Sequence, residues 1–271
     1  MTPPPHRIIR LTETGSTNAD AMRLALAGEA LPLWVTAERQ SAGRGRAGRS
    51  WVSEPGNLQA SLAFGAKASL QNAGELSLVA GIALLEAIRT ISPLAERCSL
   101  RLKWPNDLLI ATAKAGGILV ETTTAYGEPG LQPGLQPGFL AVLGFGLNTA
   151  SCPADMGRAT ASLAQSGIGV TPEQVLASLA DQCDAWIARW DGGRGFDHIR
   201  DAWMQRAGRI GEAITIQTAS GPVTGTYQGL APSGALLAEV AGQIETITYG
   251  DVALVGPSGD GNGPKLDKGD G

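Results

Sequence analysis

The chain has 271 residues, of which 43% are hydrophobic and 17% charged, a balance typical of a globular protein with a sizeable core. Its formal net charge is −4, so no global basic field favours nucleic acid. No apolar run is long enough to span a bilayer, and the first residues lack the apolar core of a signal peptide. Three scattered cysteines without metal-ligand spacing predict a reducing, cytoplasmic setting with neither disulfides nor a zinc site.

Hydrophobic periodicity predicts strands and helices along most of the chain. Strands are predicted at residues 8–11, 33–37, 58–64, 100–104, 108–110, 117–122 and 139–147. Helices are predicted at residues 19–27, 76–91, 171–190 and 196–207. N-cap chemistry is available before the first helix and at Thr171, where Pro172 takes the first helical position. We expect the last two strands to pair, with the Pro/Gly-rich residues 128–138 forming a hairpin tip without chemistry.

After Gly208 the sequence pattern changes to short strands in which apolar and polar residues alternate. These are predicted at residues 213–217, 223–228, 235–239 and 244–249, a pattern typical of a small β-barrel. We therefore predict a large domain over residues 1–207 and a small barrel over 208–255. Residues 256–271 are rich in Gly, Pro, Asp and Lys and are expected to be a disordered tail. The fold class predicted from these elements is α/β of the α+β type, a mixed sheet flanked by helices and followed by the barrel.

An arginine–glycine loop, residues 40–51, follows the second predicted strand. Its glycines allow backbone N–H groups to approach an anion, and its three arginines match carboxylate and phosphate oxygens. Ordering such a loop is costly, so we expect it to become ordered on an anionic ligand. Two alternatives compete: an RNA-binding tail, which is usually longer and terminal, and a solvated surface loop.

Three other segments carry candidate binding groups. Residues 13–18 (Glu-Thr-Gly-Ser-Thr-Asn) could bind a polar ligand head or merely cap a helix. Residues 103–107 (Lys-Trp-Pro-Asn-Asp) are followed by Lys114 and then by the sequence Gly-Gly-Ile-Leu-Val-Glu. Residues 144–148 (Gly-Phe-Gly-Leu-Asn) form a strand whose glycines allow close packing against a ligand.

Together these segments resemble the signatures of the biotin protein ligases. The loop Gly-Arg-Gly-Arg-x-Gly-Arg-x-Trp, the Lys-Trp-Pro-Asn-Asp segment, the downstream Lys before Gly-Ile-Leu-Val-Glu, and the Gly-x-Gly-x-Asn strand occur in family order. The resemblance is strong over residues 12–148 and looser over residues 210–255. It implies ATP-dependent activation of biotin to biotinyl-5′-adenylate, with Mg²⁺ held largely by the nucleotide. The biotinyl group then passes to a lysine of a biotin carboxyl carrier protein, such as an acetyl-CoA carboxylase subunit.

The resemblance also implies a set of site residues. Lys114 and Arg46 are the implied catalytic residues. The implied biotin site consists of Ser16, Thr17, Asn18, Gln40, Gly43, Arg44, Lys114, Gly117, Gly144 and Gly146. The implied nucleotide site consists of Arg46, Arg49, Trp51, Lys103, Asn106, Asp107, Lys114 and Asn148. Lys103 and Asp107 could instead be an ion pair or a turn cap. Trp51 and Trp104 could be core residues, although their places in the signatures favour a wall over the adenylate.

The sequence departs from some family members in two ways. Residues 149–166, where some members stack adenine on a tryptophan, contain no aromatic side chain, so the adenine contact stays open. The catalytic signature begins at Glu13, and we expect the form without an N-terminal DNA-binding domain.

The alternatives are a lipoate or octanoate ligase or transferase of the same fold and, from another class, a nucleic-acid-binding regulator. We expect no nucleic-acid or membrane partner. The oligomeric state is not predicted, and a homodimer is one alternative.

Overall fold

The computed structural model describes five stretches of the chain. They are residues 6–52, 54–124, 138–153, 157–218 and 221–254. The predicted hairpin tip (except Gly138) and the predicted C-terminal tail lie outside the described residues. No helix in the described stretches combines the length and apolar character needed to cross a membrane.

A seven-stranded mixed sheet forms the centre of the larger unit, as the sequence predicts. Its strands are Ile8–Thr14 (β1), Leu33–Gln40 (β2), Leu58–Ala66 (β3), Leu100–Lys103 (β4), Asp107–Ile110 (β5), Ala113–Thr123 (β6) and Phe139–Leu147 (β7). Their spatial order is β1-β2-β3-β7-β6-β5-β4. The β1–β2 pair is parallel and the other pairs are antiparallel. The predicted pairing of β6 with β7 is therefore confirmed, with Gly117 opposite Gly146 and Leu119 opposite Gly144.

Among the described residues, four α-helices cover the two faces of the sheet. They are Thr17–Leu26 (α1), Leu76–Ile91 (α2), Pro172–Trp190 (α3) and Phe196–Met204 (α4). α1 packs Ala21 and Ala25 on one face of the sheet, against residues such as Val35 and Val142. α2, α3 and α4 belong to the larger core on the opposite face. Because successive strand residues point to opposite faces, neighbouring residues of β7 serve both cores.

Local sequence explains where the helices begin. The Ser16 side chain accepts a hydrogen bond from the Ala19 N–H at the start of α1. Thr171 and Gln174 form a reciprocal capping box at α3, and Pro172 takes its first position. α2 buries most of its circumference because it is apolar on nearly every side.

The C-terminal region forms a five-stranded antiparallel sheet. Its strands are Ala213–Thr218 (β8), Gly221–Leu230 (β9), Leu236–Val240 (β10), Gln243–Ile247 (β11) and Asp251–Leu254 (β12), in the order β11-β10-β9-β8-β12. The edge strands β11 and β12 do not pair within the described residues, so the sheet is open there. Its apolar side chains, including Ile214 and Leu236, join the core that contains α2, α3 and α4. The sheet therefore buries its apolar face against the larger unit.

Candidate functional site

One cleft collects most of the residues that the sequence singles out. It opens between α1, the arginine–glycine loop and strands β6 and β7. The expected site residues that line it are Ser16, Thr17, Asn18, Gln40, Arg44, Arg46, Arg49, Trp51, Asn106, Lys114, Gly117, Gly144 and Gly146. These come from all four signature segments, so the fold brings together residues that are far apart in the chain.

The arginine–glycine loop folds back on itself over the cleft. The Gly45 N–H donates to the Arg49 carbonyl at 2.7 Å, and the Trp51 N–H donates to the Gly43 carbonyl at 2.9 Å. Arg44 and Ser50 form an antiparallel bridge. The tight turn between them contains Ala47 at φ 53° and Gly48 at φ 72°. The loop thus directs several guanidinium groups into one small volume.

A buried polar network closes the end of the cleft next to α1. The Thr17 N–H and hydroxyl both donate to Gln40 Oε1, at 2.8 and 3.0 Å. The Ser61 hydroxyl lies 2.7 Å from Thr17 Oγ1 and 2.6 Å from Asn18 Oδ1. Asn18 Nδ2 donates to Glu121 Oε2 at 2.8 Å. These bonds fix the side chains that would contact a polar ligand head.

The glycines of β7 give room to two of the protein's own side chains. A Cβ atom at Gly144 would lie 2.8 Å from Asn18 Cγ, and one at Gly146 would lie 2.5 Å from Trp51 Cζ2. The indole therefore lies directly on Gly146 and also approaches Gly117, where a Cβ would be 3.4 Å from Trp51 Cζ3. Within the described part of the chain, the buried Trp51 Nε1 has no hydrogen-bond partner. A ligand in this cleft would thus meet the indole above Gly146.

A buried carboxylate joins two lysines at the other end of the cleft. Asp107 forms an ion pair with Lys114 and lies 2.8 Å from Lys103 Nζ. Burial raises the pKa of Asp107, but the charges and hydrogen bonds of the two lysines outweigh it, so the net pKa is lowered. Burial lowers the pKa of Lys114, Asp107 opposes that change, and the nearby charges of Arg158 and Lys103 add to it, so its net pKa is also lowered. The arrangement places one net positive charge at the buried end of the cleft.

Some expected site residues stand behind the cleft rather than in its lining. Gly43, Lys103, Asp107 and Asn148 are not among the lining residues. Asn148 is buried, and its Nδ2 donates to the Ala161 carbonyl at 3.0 Å, so it ties two segments together. Lys103 Nζ donates to the Val252 carbonyl at 2.6 Å, which connects it to the C-terminal sheet.

The expectation that Trp104 forms a wall over the adenylate is wrong. Its side chain is buried, and its Nε1 donates to the Gly234 carbonyl at 3.1 Å, in the turn before β10. The ring therefore packs between the larger unit and the C-terminal sheet. Sequence position alone did not distinguish it from Trp51, because both tryptophans lie within signature segments.

Two charged residues in or beside the cleft were given no role in the sequence analysis. Arg158 is an exposed residue that lines the cleft, and no ion pair joins it to another described residue. Its position is fixed by its neighbours, since the Lys114 N–H donates to the Ala159 carbonyl at 2.9 Å. Glu121, in β6, accepts hydrogen bonds from both Asn18 and Arg44. Neither residue was assigned a role in the signatures, and the pairing of the Arg158 segment with Lys114 is a long-range contact.

Comparison with known proteins gives the class of this fold and cleft. Residues 8–131 match the Biotin/lipoate A/B protein ligase family. Residues 210–255 match the Biotin protein ligase C terminal domain. The fold is therefore that of a ligase class that includes both biotin and lipoate enzymes.

Individual relatives narrow the assignment. A biotin–[acetyl-CoA-carboxylase] ligase of Paracoccus denitrificans is 39% identical over 84% of this chain and 92% of its own length. One of Mycobacterium tuberculosis is 30% identical, over 89% of this chain and 86% of its own. A structure of the Aquifex aeolicus biotin protein ligase with biotin and ATP superposes with a TM-score of 0.73 at 25% identity, covering 92% of this chain and 98% of that one. The chain belongs to the biotin protein ligase family.

Proposed function

We propose that this cleft activates biotin with ATP, forming biotinyl-5′-adenylate and pyrophosphate, and then transfers the biotinyl group to a lysine of a carrier protein. The observation that carries this proposal is one cleft with a polar end at Thr17 and Gln40 and a cationic end at Lys114. The relatives named above are biotin ligases, and the Aquifex aeolicus structure contains biotin and ATP. They favour biotin over lipoate or octanoate as the substrate.

The register of β6 and β7 sets the direction in which the substrates would lie. Gly144, beside Asn18, is opposite Leu119, and Gly146, beside Trp51, is opposite Gly117. Two residues along a strand correspond to about 6.6 Å. We place the ureido ring of biotin at the α1 end, against Ser16, Thr17 and Gln40. Its carboxylate would then point along the strands towards Lys114.

Lys114 would supply the charge that the first step needs. Attack of the biotin carboxylate on the α-phosphorus brings two anions together, and negative charge builds on the equatorial oxygens while pyrophosphate leaves. The Lys114 ammonium is buried and held by Asp107 on one side, while it lines the cleft on the other. A fixed cation in a partly desolvated site stabilises this charge without reorganising at the moment of reaction.

The arginine–glycine loop would contribute the remaining positive charge and exclude water. Arg46 and Arg49 line the cleft together with Trp51. We assign them to the phosphate groups, with Trp51 covering the adenylate and Arg158 adding a cation beside Lys114. Asn106, whose Nδ2 donates to the Ile118 carbonyl at 2.6 Å, fixes the floor of this region.

The described residues do not present a resident Mg²⁺ site. No cluster of three or more His, Cys, Asp or Glu side chains suited to a metal occurs among them. Asp107, the carboxylate nearest Lys114, is already paired with two lysines. We therefore propose that Mg²⁺ enters bound to the phosphates of ATP, and we assign no step to it.

The acceptor would be a lysine of a biotin carboxyl carrier protein. The relatives are named for acetyl-CoA carboxylase, so a carrier of this class is the proposed partner. Transfer forms an amide bond between the lysine ε-nitrogen and the biotinyl carbonyl, and releases AMP and a proton. We place the reaction in the cytoplasm, where ATP is available. The free cysteines Cys98, Cys152 and Cys183 fit a reducing compartment.

ATP-dependent transfer of radiolabelled biotin to a purified carrier domain tests this function. We expect label on the carrier only when ATP is present, and none on a carrier whose acceptor lysine is replaced by arginine. Calorimetric titrations with biotin and with lipoate distinguish the two substrate classes. Binding of lipoate without binding of biotin would overturn the assignment.

A further inference from the structure

The arginine–glycine loop is held from one side by Glu121. Arg44 Nη2 lies 3.1 Å from Glu121 Oε1, and Asn18 Nδ2 donates to the other carboxylate oxygen at 2.8 Å. Glu121 is in β6, four residues beyond Gly117, and it is not among the residues that line the cleft. One carboxylate therefore connects the loop, the start of α1 and the floor of the cleft without facing the substrates.

The C-terminal sheet holds the same loop from the other side. Arg46 Nη1 donates to the Gly250 carbonyl at 3.3 Å. The Arg46 guanidinium also lies over the Tyr249 ring, with Cζ 5.7 Å from the ring centroid. Both partners belong to the turn between β11 and β12, and Tyr249 is 76% exposed. The large exposed ring packs on an arginine of the loop rather than in the core.

We propose that Glu121 and Tyr249 are positioning residues that hold the loop closed over the reaction intermediate. The arginine–glycine loop then acts as a lid that is held by two contacts, one from β6 and one from the C-terminal sheet. Neither side chain touches the reacting atoms, so both act through Arg44 and Arg46. This inference rests on the proposed function, because it concerns how long biotinyl-adenylate stays in the cleft.

The expected effects are modest and separable. A partly exposed ion pair and an exposed cation–π contact each change an equilibrium by about two- to fivefold. Weakening either contact favours the open loop and speeds release of the intermediate. Formation of the adenylate depends chiefly on Lys114 and needs the closed loop only transiently. The rate of adenylate formation should therefore fall less than the rate of adenylate release rises. The two contacts involve different arginines of the loop and share no partner, so their effects on the release rate should multiply.

Glu121→Gln, Tyr249→Ala and the double variant test the inference in the full-length protein. The rate of biotinyl-adenylate release is measured after a single turnover, together with biotinylation of a bystander protein. We expect each single variant to raise both quantities about two- to fivefold, and the double variant to multiply the effects. Glu121→Gln retains an acceptor for Asn18 and so chiefly removes the charge that Arg44 contacts.

Two control variants isolate the contacts from general destabilisation. Tyr249→Phe keeps the aromatic face and should release the adenylate at the parent rate. Ile244→Ala removes another exposed side chain from the same sheet, 59% exposed, and should also match the parent. Parent-like release in both singles and the double, or equal release from Ile244→Ala and Tyr249→Ala, would overturn the inference. A parent protein that makes no biotinyl-adenylate would instead overturn the proposed function.

Discussion

Replacing Gly146 by alanine should displace Trp51 from the cleft. The new Cβ would lie 2.5 Å from Trp51 Cζ2 and 2.7 Å from Nε1. Ordinary carbon–carbon contact needs about 3.5 Å, so the indole must move by about 1 Å or rotate away. Overpacking of this kind costs about 1–3 kcal/mol. Opening of the loop relieves the strain. Most of the overpacking energy should therefore appear as weaker binding of the ligand under the closed loop.

A cost of about 1–3 kcal/mol corresponds to roughly five- to 150-fold weaker binding of biotinyl-adenylate. Affinity for a non-hydrolysable adenylate analogue, measured by calorimetry, gives this number directly. Gly74→Ala is the matched control, because a Cβ there meets nothing within 4 Å. It should bind the analogue as the parent does.

A double-mutant cycle tests the physical cause. In a Trp51→Ala background the clash is gone, so Gly146→Ala should change affinity by less than about twofold. If Gly146→Ala costs the same in both backgrounds, the ligand itself contacts Gly146 and the indole is not the obstacle. That result would refute the reasoning and restore the expectation that this glycine makes room for biotin directly.

Three further predictions concern the charged end of the cleft. Lys114→Ala should slow adenylate formation about 10²–10³-fold with an unchanged circular dichroism spectrum, and near-parent rates in a pyrophosphate-exchange assay would contradict its role. Asp107→Asn should destabilise the protein most at neutral pH. The lowered pKa of Asp107 gives stability that is present above its ordinary value of 3.8 and is lost as pH falls below it, so urea unfolding curves of parent and variant should converge in acid. Arg158→Ala should raise the KM for ATP severalfold and leave the KM for biotin unchanged, and a change in the biotin value instead would place this arginine elsewhere.

Local patterns predict the elements of this fold well because each depends on nearby residues. The helix at residues 76–91 and the strand at residues 139–147 have their predicted bounds. The parallel pairing of β1 with β2 and the placement of β7 between β3 and β6 were not predicted, since strand order depends on contacts distant in sequence. The order β11-β10-β9-β8-β12 of the C-terminal sheet was not predicted either, because it also depends on contacts between strands that are distant in sequence.

In the candidate site, too, local sequence predicts some features, while others depend on contacts between distant parts of the chain. Signature segments predict most of the residues that line the cleft, since each is a short run with a clear chemical character. They do not show that Asn18 and Trp51 fill the space beside Gly144 and Gly146, or that Trp104 faces away from the cleft. Arg158 and Glu121 were missed for a related reason. Arg158 is placed by the long-range pairing of its segment with Lys114, and Glu121, although it ends the Gly-Ile-Leu-Val-Glu segment, meets its partners Asn18 and Arg44 only in the fold.

The two sheets share one hydrophobic core, so mutations in either sheet would affect the stability of the whole protein. Ile214, Tyr227 and Leu236 of the C-terminal sheet lie in one apolar cluster with α2, α3 and α4. A cluster of this kind is expected to melt in one cooperative step, so calorimetry should record a single transition. Substitutions far from the chemistry, on the C-terminal strands, would then lower the amount of active enzyme in a cell by lowering the folded fraction. Screens that score growth would class such core positions with the cleft, although their effect would come from the folded fraction and not from the contacts of Arg46 with Tyr249 and Gly250.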